Sequence, residues 1–270
     1  MDHAESEGRP LALVTGASSG IGAAFAERLA RDGHDVLVVA RRAGRLDELA
    51  AHLQADFGAA VEPLVADLTN PDGLASVEYM LLDRKPDLLV NNAGFSGYGP
   101  FAEIDREVAE KLLRIHALAV TRLTRAALPG MISRGSGAVI NVASLLALSG
   151  PLSLGRMTGR ATYAGAKAFM LAFTQALAGE LEGSGVRAMV LLPGMVHSEF
   201  HGERGLPPNL PVMSAADVAD AALVGLALGE VVCVPGLEDM GLFEKLRDLQ
   251  QAILSGGNQV QVAERYRRRP

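Results

Sequence analysis

Tryptophan is absent from this chain, and cysteine occurs once, at Cys233. A single thiol excludes an intramolecular disulfide framework and a multi-cysteine metal site. Its setting, Val231-Val232-Cys233-Val234, is that of an inert buried thiol rather than a nucleophile. With aromatics at 4%, the core must be built from aliphatic side chains. Positive charge is not in excess either: the formal net charge is −6, which gives no basis for nucleic-acid binding. The one concentrated basic run, Arg267-Arg268-Arg269, reads as a solvated tail. No run of about 18 uncharged apolar residues occurs, so no membrane-spanning helix is expected. The most apolar late stretch, 215–234, is broken by Asp217, Asp220 and Glu230. Residues 1–8 are acidic and polar, without the basic start and apolar stretch of a secretory signal, and read as a flexible tail. The expected location is the cytoplasm, with no membrane partner. No repeat, low-complexity tract or interdomain linker appears, so residues 9–270 read as a single domain, with a helical segment after Gly236.

What is present is a soluble composition, 49% hydrophobic and 21% charged over 270 residues. Short apolar runs lie at 11–15, 36–40, 61–65, 88–91, 138–142, 186–192 and 231–234, each apolar on both faces as a buried strand is. Between them come segments with helical spacing, at 22–31, 45–57, 105–134, 163–181 and 215–228. This alternation predicts an α/β fold: a doubly wound parallel sheet of about seven strands with helices on both faces. Ligands of such sheets sit beyond the carboxyl ends of the strands. There the sequence places Gly16, Arg41, Asp67, Asn91, Ser144 and Pro193-Gly194.

Two motifs carry chemistry. The turn Thr15-Gly16-Ala17-Ser18-Ser19-Gly20-Ile21-Gly22 follows the first strand and opens a helix. Glycine permits close backbone approach, and a helix N-terminus offers free N–H groups to a pyrophosphate. The spacing is Gly-x-x-x-Gly-x-Gly, not the usual Gly-x-Gly-x-x-Gly. The second motif is Tyr163-Ala164-Gly165-Ala166-Lys167, in a chain with only four tyrosines. Positions i and i+4 share a helix face, so phenol and ammonium can enter one site. A cation beside a phenol favours the phenolate, which predicts a Tyr163 pKa below its ordinary value of about 10.

The glycine turn, Asn91-Asn92-Ala93-Gly94 and Tyr163-x-x-x-Lys167 together strongly resemble the short-chain dehydrogenase/reductase family, over nearly the whole stretch 11–235. Ala66-Asp67-Leu68, Asn141-Val142-Ala143-Ser144 and Leu192-Pro193-Gly194 are similar as well. The resemblance implies a Rossmann-type fold, a nicotinamide cofactor and a homodimer or homotetramer formed through 105–134 and 163–181. It also implies site roles. Tyr163 would be the acid/base; Lys167 would tune it and hold the nicotinamide ribose; Ser144 would polarise a substrate carbonyl. The turn residues Gly16, Ser18, Ser19, Gly20, Ile21 and Gly22 would hold the cofactor, with Asp67 and Leu68 at the adenine and Asn92, Ala93, Gly94, Pro193 and Gly194 lining its site. An NAD enzyme usually presents an acid after strand two, whereas this chain has Arg41-Arg42, which suits the 2′-phosphate of NADP(H).

Two departures stand out. His116 occupies the position where the family has an asparagine that links the lysine to solvent; neutral histidine also offers one donor and one acceptor. Ser144 also precedes Tyr163 by more than the family's usual interval, through a glycine- and serine-containing stretch at 148–160 that reads as an enlarged loop. Ser149 is therefore a rival for the serine role. His197 and His201 have metal-like spacing but no evident third ligand, so no metal is expected. Tyr98 reads equally as a pocket residue or a plain loop tyrosine. The expected activity is NADPH-dependent reduction of a small ketone or aldehyde, or the reverse alcohol oxidation. Reduction of an imine or activated alkene, a non-redox reaction in the same pocket, and nucleotide sensing without turnover stay open.

Overall fold

The computed structural model describes residues 8–152, 159–200 and 211–267. Seven strands form one sheet: β1 (Leu11–Thr15), β2 (Asp35–Ala40), β3 (Val61–Val65), β4 (Leu88–Asn91), β5 (Gly137–Val142), β6 (Val186–Leu191) and β7 (Val232–Cys233). Every pairing is parallel, in the order β3-β2-β1-β4-β5-β6-β7. The order reverses between β1 and β4, where successive crossovers leave in opposite directions and open a crevice at the strand ends.

The helices are α1 (Gly20–Arg31), α2 (Ala43–Phe57), α3 (Pro71–Arg84), α4 (Arg106–Leu113), α5 (Val120–Arg134), α6 (Ala161–Glu180) and α7 (Ala215–Ala227). Alternate strand residues go to opposite faces. Ala12, Val14, Val36, Val38, Val90 and Ile140 join Phe25, Leu29, Leu46 and Val218 from α1, α2 and α7. Leu13, Leu37, Val39, Leu89 and Val139 join Val77, Leu123, Met131 and Leu177 from α3, α5 and α6. The sheet is thus covered on both faces, and its core is almost wholly aliphatic.

Three sequence expectations change. β3 is an edge strand, half-buried along its length with Val65 54% exposed, and Pro63 is tolerated there because an edge leaves one row of N–H groups unpaired. α3 had not been expected; Asn70 caps it by accepting from the Asp72 N–H, with Pro71 in its first turn. The stretch 105–134 is not one regular helix. A π-helical turn, Arg114–Ala119, separates α4 from α5.

The chain divides into two compact units, Met1–Pro235 and Gly236–Pro270. The second carries α8 (Gly241–Gly257) and a short 3₁₀ turn, Glu264–Tyr266. No helix among the described residues is long and apolar enough to cross a membrane.

Candidate active site

The first turn is held from below by β4. Thr15 Oγ1 donates to the Val90 carbonyl at 3.2 Å and accepts from the Asn92 and Ala93 N–H groups, each at 3.0 Å. Asn92 Nδ2 donates to the Thr15 carbonyl at 2.9 Å. Asn92 therefore clamps the turn rather than pointing into the cleft. The glycines are required by the turn itself. A Cβ on Gly22 would lie 2.3 Å from the Gly16 carbonyl oxygen, and one on Gly16 would lie 2.8 Å from Ala93 Cα. The first residue before α1, Ser19, makes no side-chain cap, so the leading N–H groups of α1 are left for an anion. A cleft of about 140 Å³ lies at this helix end, lined by Gly16, Ser18, Ser19, Arg41, Arg42, Asp67, Leu68, Ala93 and Gly94 of the expected set. Val39, Thr69, Phe95 and Ile115 line it too and had not been expected.

Charge in the cleft is arranged by side-chain bonds. Asp67 accepts from both the N–H and the hydroxyl of Thr69, at 2.9 and 2.8 Å. Burial raises its pKa, but these bonds and nearby Arg41 outweigh that and hold the carboxyl below its ordinary value. Arg42 is not a free cation. Its guanidinium donates to Ser18 Oγ at 2.9 Å, to Ser19 Oγ at 2.7 Å and to Glu199 at 2.6 Å. The two turn serines are thereby tied to the end of β2, and Arg41 is exposed at the rim.

The expected acid/base residues do not themselves line that cleft. Tyr163 and Lys167 enter from the first turns of α6 and are both buried, at 4% and 3% exposure. Ser144, closing β5, lies near enough to the Tyr163 hydroxyl to favour its ionised form slightly, and accepts the Leu146 N–H at 3.2 Å. Ser149 is committed elsewhere: its hydroxyl donates to the Leu146 carbonyl at 2.8 Å and accepts from Arg160 Nε at 3.0 Å. Of the two serines, Ser144 is the one brought to Tyr163. Residues 153–158 of the expected loop, and His201, lie outside the described residues. Among the described residues no group of three metal-ligating side chains occurs.

The expected phenolate is not found. Lys167 Nζ donates to the Val142 carbonyl at 2.9 Å and lies 5.6 Å from the centre of the Tyr163 ring. Burial disfavours both charged forms: it pushes the phenol well above its ordinary value and the Lys167 ammonium down to about 7. Desolvation thus outweighs the attraction on which the sequence argument relied.

His116 is fully buried in the π-helical turn, its ring edge-on to Tyr163 at 5.5 Å. Nε2 lies 3.1 Å from the Phe95 carbonyl, which can only accept, so Nε2 carries the hydrogen. Nδ1 is then an acceptor without a protein partner among the described residues. Burial, then the Lys167 charge, hold His116 well below its ordinary pKa, hence neutral. Tyr98 and Phe200 pack on the Tyr163 ring at 5.3 and 6.1 Å. Pro193 is buried and accepts the Leu145 N–H at 3.0 Å; Gly194 is exposed beside Leu145. Ile21 packs into the core and does not line the cleft.

A parallel sheet that opens at the β1–β4 reversal, with an uncapped helix N-terminus there and a buried Tyr163–Lys167 pair tied to the end of β5, has the layout of a dinucleotide-binding α/β protein. The comparisons agree. A family profile described as short chain dehydrogenase matches residues 10–207, and the chain belongs to that family, whose cofactors are nicotinamide dinucleotides. Among solved structures it is similar to a short-chain dehydrogenase from Sphingobium yanoikuyae in complex with NADPH. That similarity is 40% identity with a TM-score of 0.88, over 95% of this chain and 100% of the other. It is also similar to the bulky-bulky ketone specific alcohol dehydrogenase from Comamonas testosteroni, at 34% identity and a TM-score of 0.86, over 96% and 99% of the two chains. A short chain dehydrogenase of Pseudocercospora fijiensis is 40% identical over 193 residues, 70% of this chain and 60% of that relative's length.

Proposed function

We propose that this chain reduces a ketone or aldehyde to an alcohol with NADPH, and catalyses the reverse oxidation when alcohol and NADP⁺ are supplied. The observation that carries this reading is the placing of Ser144 beside the Tyr163 hydroxyl, with Lys167 buried against the same ring. Two donors converging on one point stabilise the negative charge that develops on a carbonyl oxygen as its carbon is reduced. Tyr163, held protonated by burial, is in the form needed to donate that proton, so the resting site is set for reduction. Lys167, titrating near neutrality, can return a proton, and neutral His116 offers an acceptor nitrogen in the same buried cluster.

The residues fit a nicotinamide dinucleotide. The uncapped N-terminus of α1 suits the pyrophosphate, and the Arg41–Arg42 rim suits a 2′-phosphate. The cofactor, when bound, supplies the hydride. The NADPH complex of the Sphingobium relative and the ketone specificity in the Comamonas enzyme's description support the same reading. We also propose self-association through α4, α5 and α6, where Leu113, Ile132 and Phe169 are exposed.

The test is loss of NADPH absorbance with a panel of small and bulky ketones, alongside nucleotide binding by fluorescence. Tyr163→Phe should lower kcat by at least about 10³-fold while leaving NADPH binding within a few-fold. Binding without turnover on any carbonyl compound would make the chain a nucleotide sensor, and turnover confined to imines or enones would move the substrate class.

A further inference from the structure

The segment after Pro193-Gly194 is pinned at its base. Val196 bridges Met213, the His197 N–H donates to the Met213 carbonyl at 3.0 Å, and the Met213 N–H donates to Met195 at 3.0 Å. Ser198 then lies against the glycine turn, close enough that a Cβ on Gly20 would be 3.0 Å from the Ser198 Cβ. Phe200 lies on the Tyr163 ring, and Ser96 Oγ donates to its carbonyl at 3.2 Å. Between them Glu199 places one carboxylate oxygen 2.6 Å from Arg42 Nη1 and the other 3.1 Å from Arg45 Nη2. Arg42, which holds its carboxyl below the ordinary value, also lines the cleft where a 2′-phosphate would sit.

We propose that Glu199 is a cofactor-specificity residue: its carboxylate competes with the 2′-phosphate of NADP(H) for Arg42 and Arg45. This rests on the NADP(H) reading above. The competition is one of like ligands. A phosphate dianion brings more charge and three acceptor oxygens to the same two forks, so it displaces a single carboxylate. All three side chains are about half exposed, so the ion pairs are weak and screened by salt, and displacement lowers affinity without preventing binding. NAD(H), with a ribose hydroxyl at that place, has no need to break either pair. Glu199 therefore narrows the gap between the two cofactors.

The experiment is equilibrium titration of wild type, Glu199→Gln and Asp47→Asn with NADPH, NADH, adenosine 2′,5′-bisphosphate and 5′-AMP. Asp47 is an exposed acid on the same helix as Arg45 and controls for general field effects. Expected is a gain of about 3- to 10-fold in affinity for the two 2′-phosphorylated ligands in Glu199→Gln at low salt. The gain should shrink as salt rises, with NADH and 5′-AMP unchanged, and Asp47→Asn should behave as wild type. Equal or weaker binding of the phosphorylated ligands by Glu199→Gln, or an equal gain for NADH, overturns the proposal. If wild type prefers NADPH, Arg42→Ala loses that preference and Glu199→Gln changes nothing, this inference alone fails. If wild type binds NADPH and NADH alike and Arg42→Ala makes no difference, the NADP(H) reading fails and takes this one with it.

Discussion

Lys167 Nζ donates to the Val142 carbonyl at 2.9 Å, so the ammonium is tied to the end of β5 while it lies over the Tyr163 ring. That carbonyl and the Met170 sulfur, 3.7 Å away, are weak compensation for a buried charge, which is why the group titrates near pH 7 rather than at its ordinary 10.5. Between those values the unfolded chain holds a proton that the folded chain has released. Stability must therefore rise with pH above about 7, by up to about 1.4 kcal/mol per unit from this group, and be flat below it. Cys233, raised to about 12 by burial, acts in the opposite sense above pH 9, so the useful quantity is a difference between variants. Lys167→Met should be more stable than wild type at pH 6, the advantage closing between pH 7 and 9, while its turnover is lost. Parallel melting curves across that range would show that Lys167 is not a neutralised buried amine.

The two serines separate by readout. Ser144→Ala removes a donor aimed at developing negative charge and should cut kcat by about 10²- to 10³-fold with little change in melting temperature. Ser149→Ala removes one partner of the Arg160 guanidinium and the side-chain donor to the Leu146 carbonyl. It should cost about 1–3 kcal/mol of stability with kcat nearly unchanged. Steady-state kinetics and denaturant titration of both variants check this, and the reversed pattern would reassign the serine.

Local signals were read well and non-local ones were not. The apolar runs placed all seven strands within a residue or so, because burial on both faces leaves a period-free stretch of Val, Leu and Ala. α3 was legible in Asn70-Pro71 and was overlooked, since its 14 residues carry a weak apolar stripe. The turn and the Tyr163–Lys167 pair were legible because each is set by four to eight consecutive residues. The π-helical turn was not: its hydrogen bonds span five residues instead of four, and what it achieves, lodging His116 edge-on to Tyr163, is a tertiary matter. Glu199 on Arg42 joins residues 157 positions apart, and nothing local announces such a pair. The Tyr163 pKa went the wrong way because attraction can be read from spacing, whereas desolvation depends on how completely the fold encloses the ring.

Gly94 faces the edge of His116 so closely that a Cβ there would lie 2.3 Å from Cε1. The imidazole cannot swing away, since Nε2 is held by Phe95 and the ring is fully buried. Gly94→Ala should then cost about 1–3 kcal/mol. His116→Ala creates a cavity of its own, but it also clears the space. In the double variant the two losses should fall short of their sum by at least about 1 kcal/mol in a denaturant double-mutant cycle. Strict additivity would mean that the loop at Gly94 relaxes away from the ring instead.

A chain of buried amides and hydroxyls runs from β4 through β5 to α6. Asn91 Nδ2 donates to Thr124 Oγ1 at 3.1 Å and to Asn141 Oδ1 at 2.9 Å; Asn141 Nδ2 donates to Thr174 Oγ1 at 2.8 Å, and Thr174 donates to the Met170 carbonyl at 2.7 Å. It joins β4 and β5 to α5 and α6, so it fixes the height of α6 against the strand that ends in Ser144. Asn141→Ala takes one of two bonds from both the Asn91 amide and the Thr174 hydroxyl and should cost about 2–4 kcal/mol. Asn141→Asp puts a carboxylate at a fully buried position whose hydrogen-bond partners, Asn91 and Thr174, are uncharged, and should cost at least as much, with the loss easing as pH falls and the acid is protonated. Thr174→Val, which leaves one partner unsatisfied, should cost less than Asn141→Ala. Combining it with Asn141→Ala should add little, because both break the same link. Thermal melts at pH 5 and 8 distinguish a linked network, in which the Asp variant recovers at low pH, from independent bonds, in which all costs add at both.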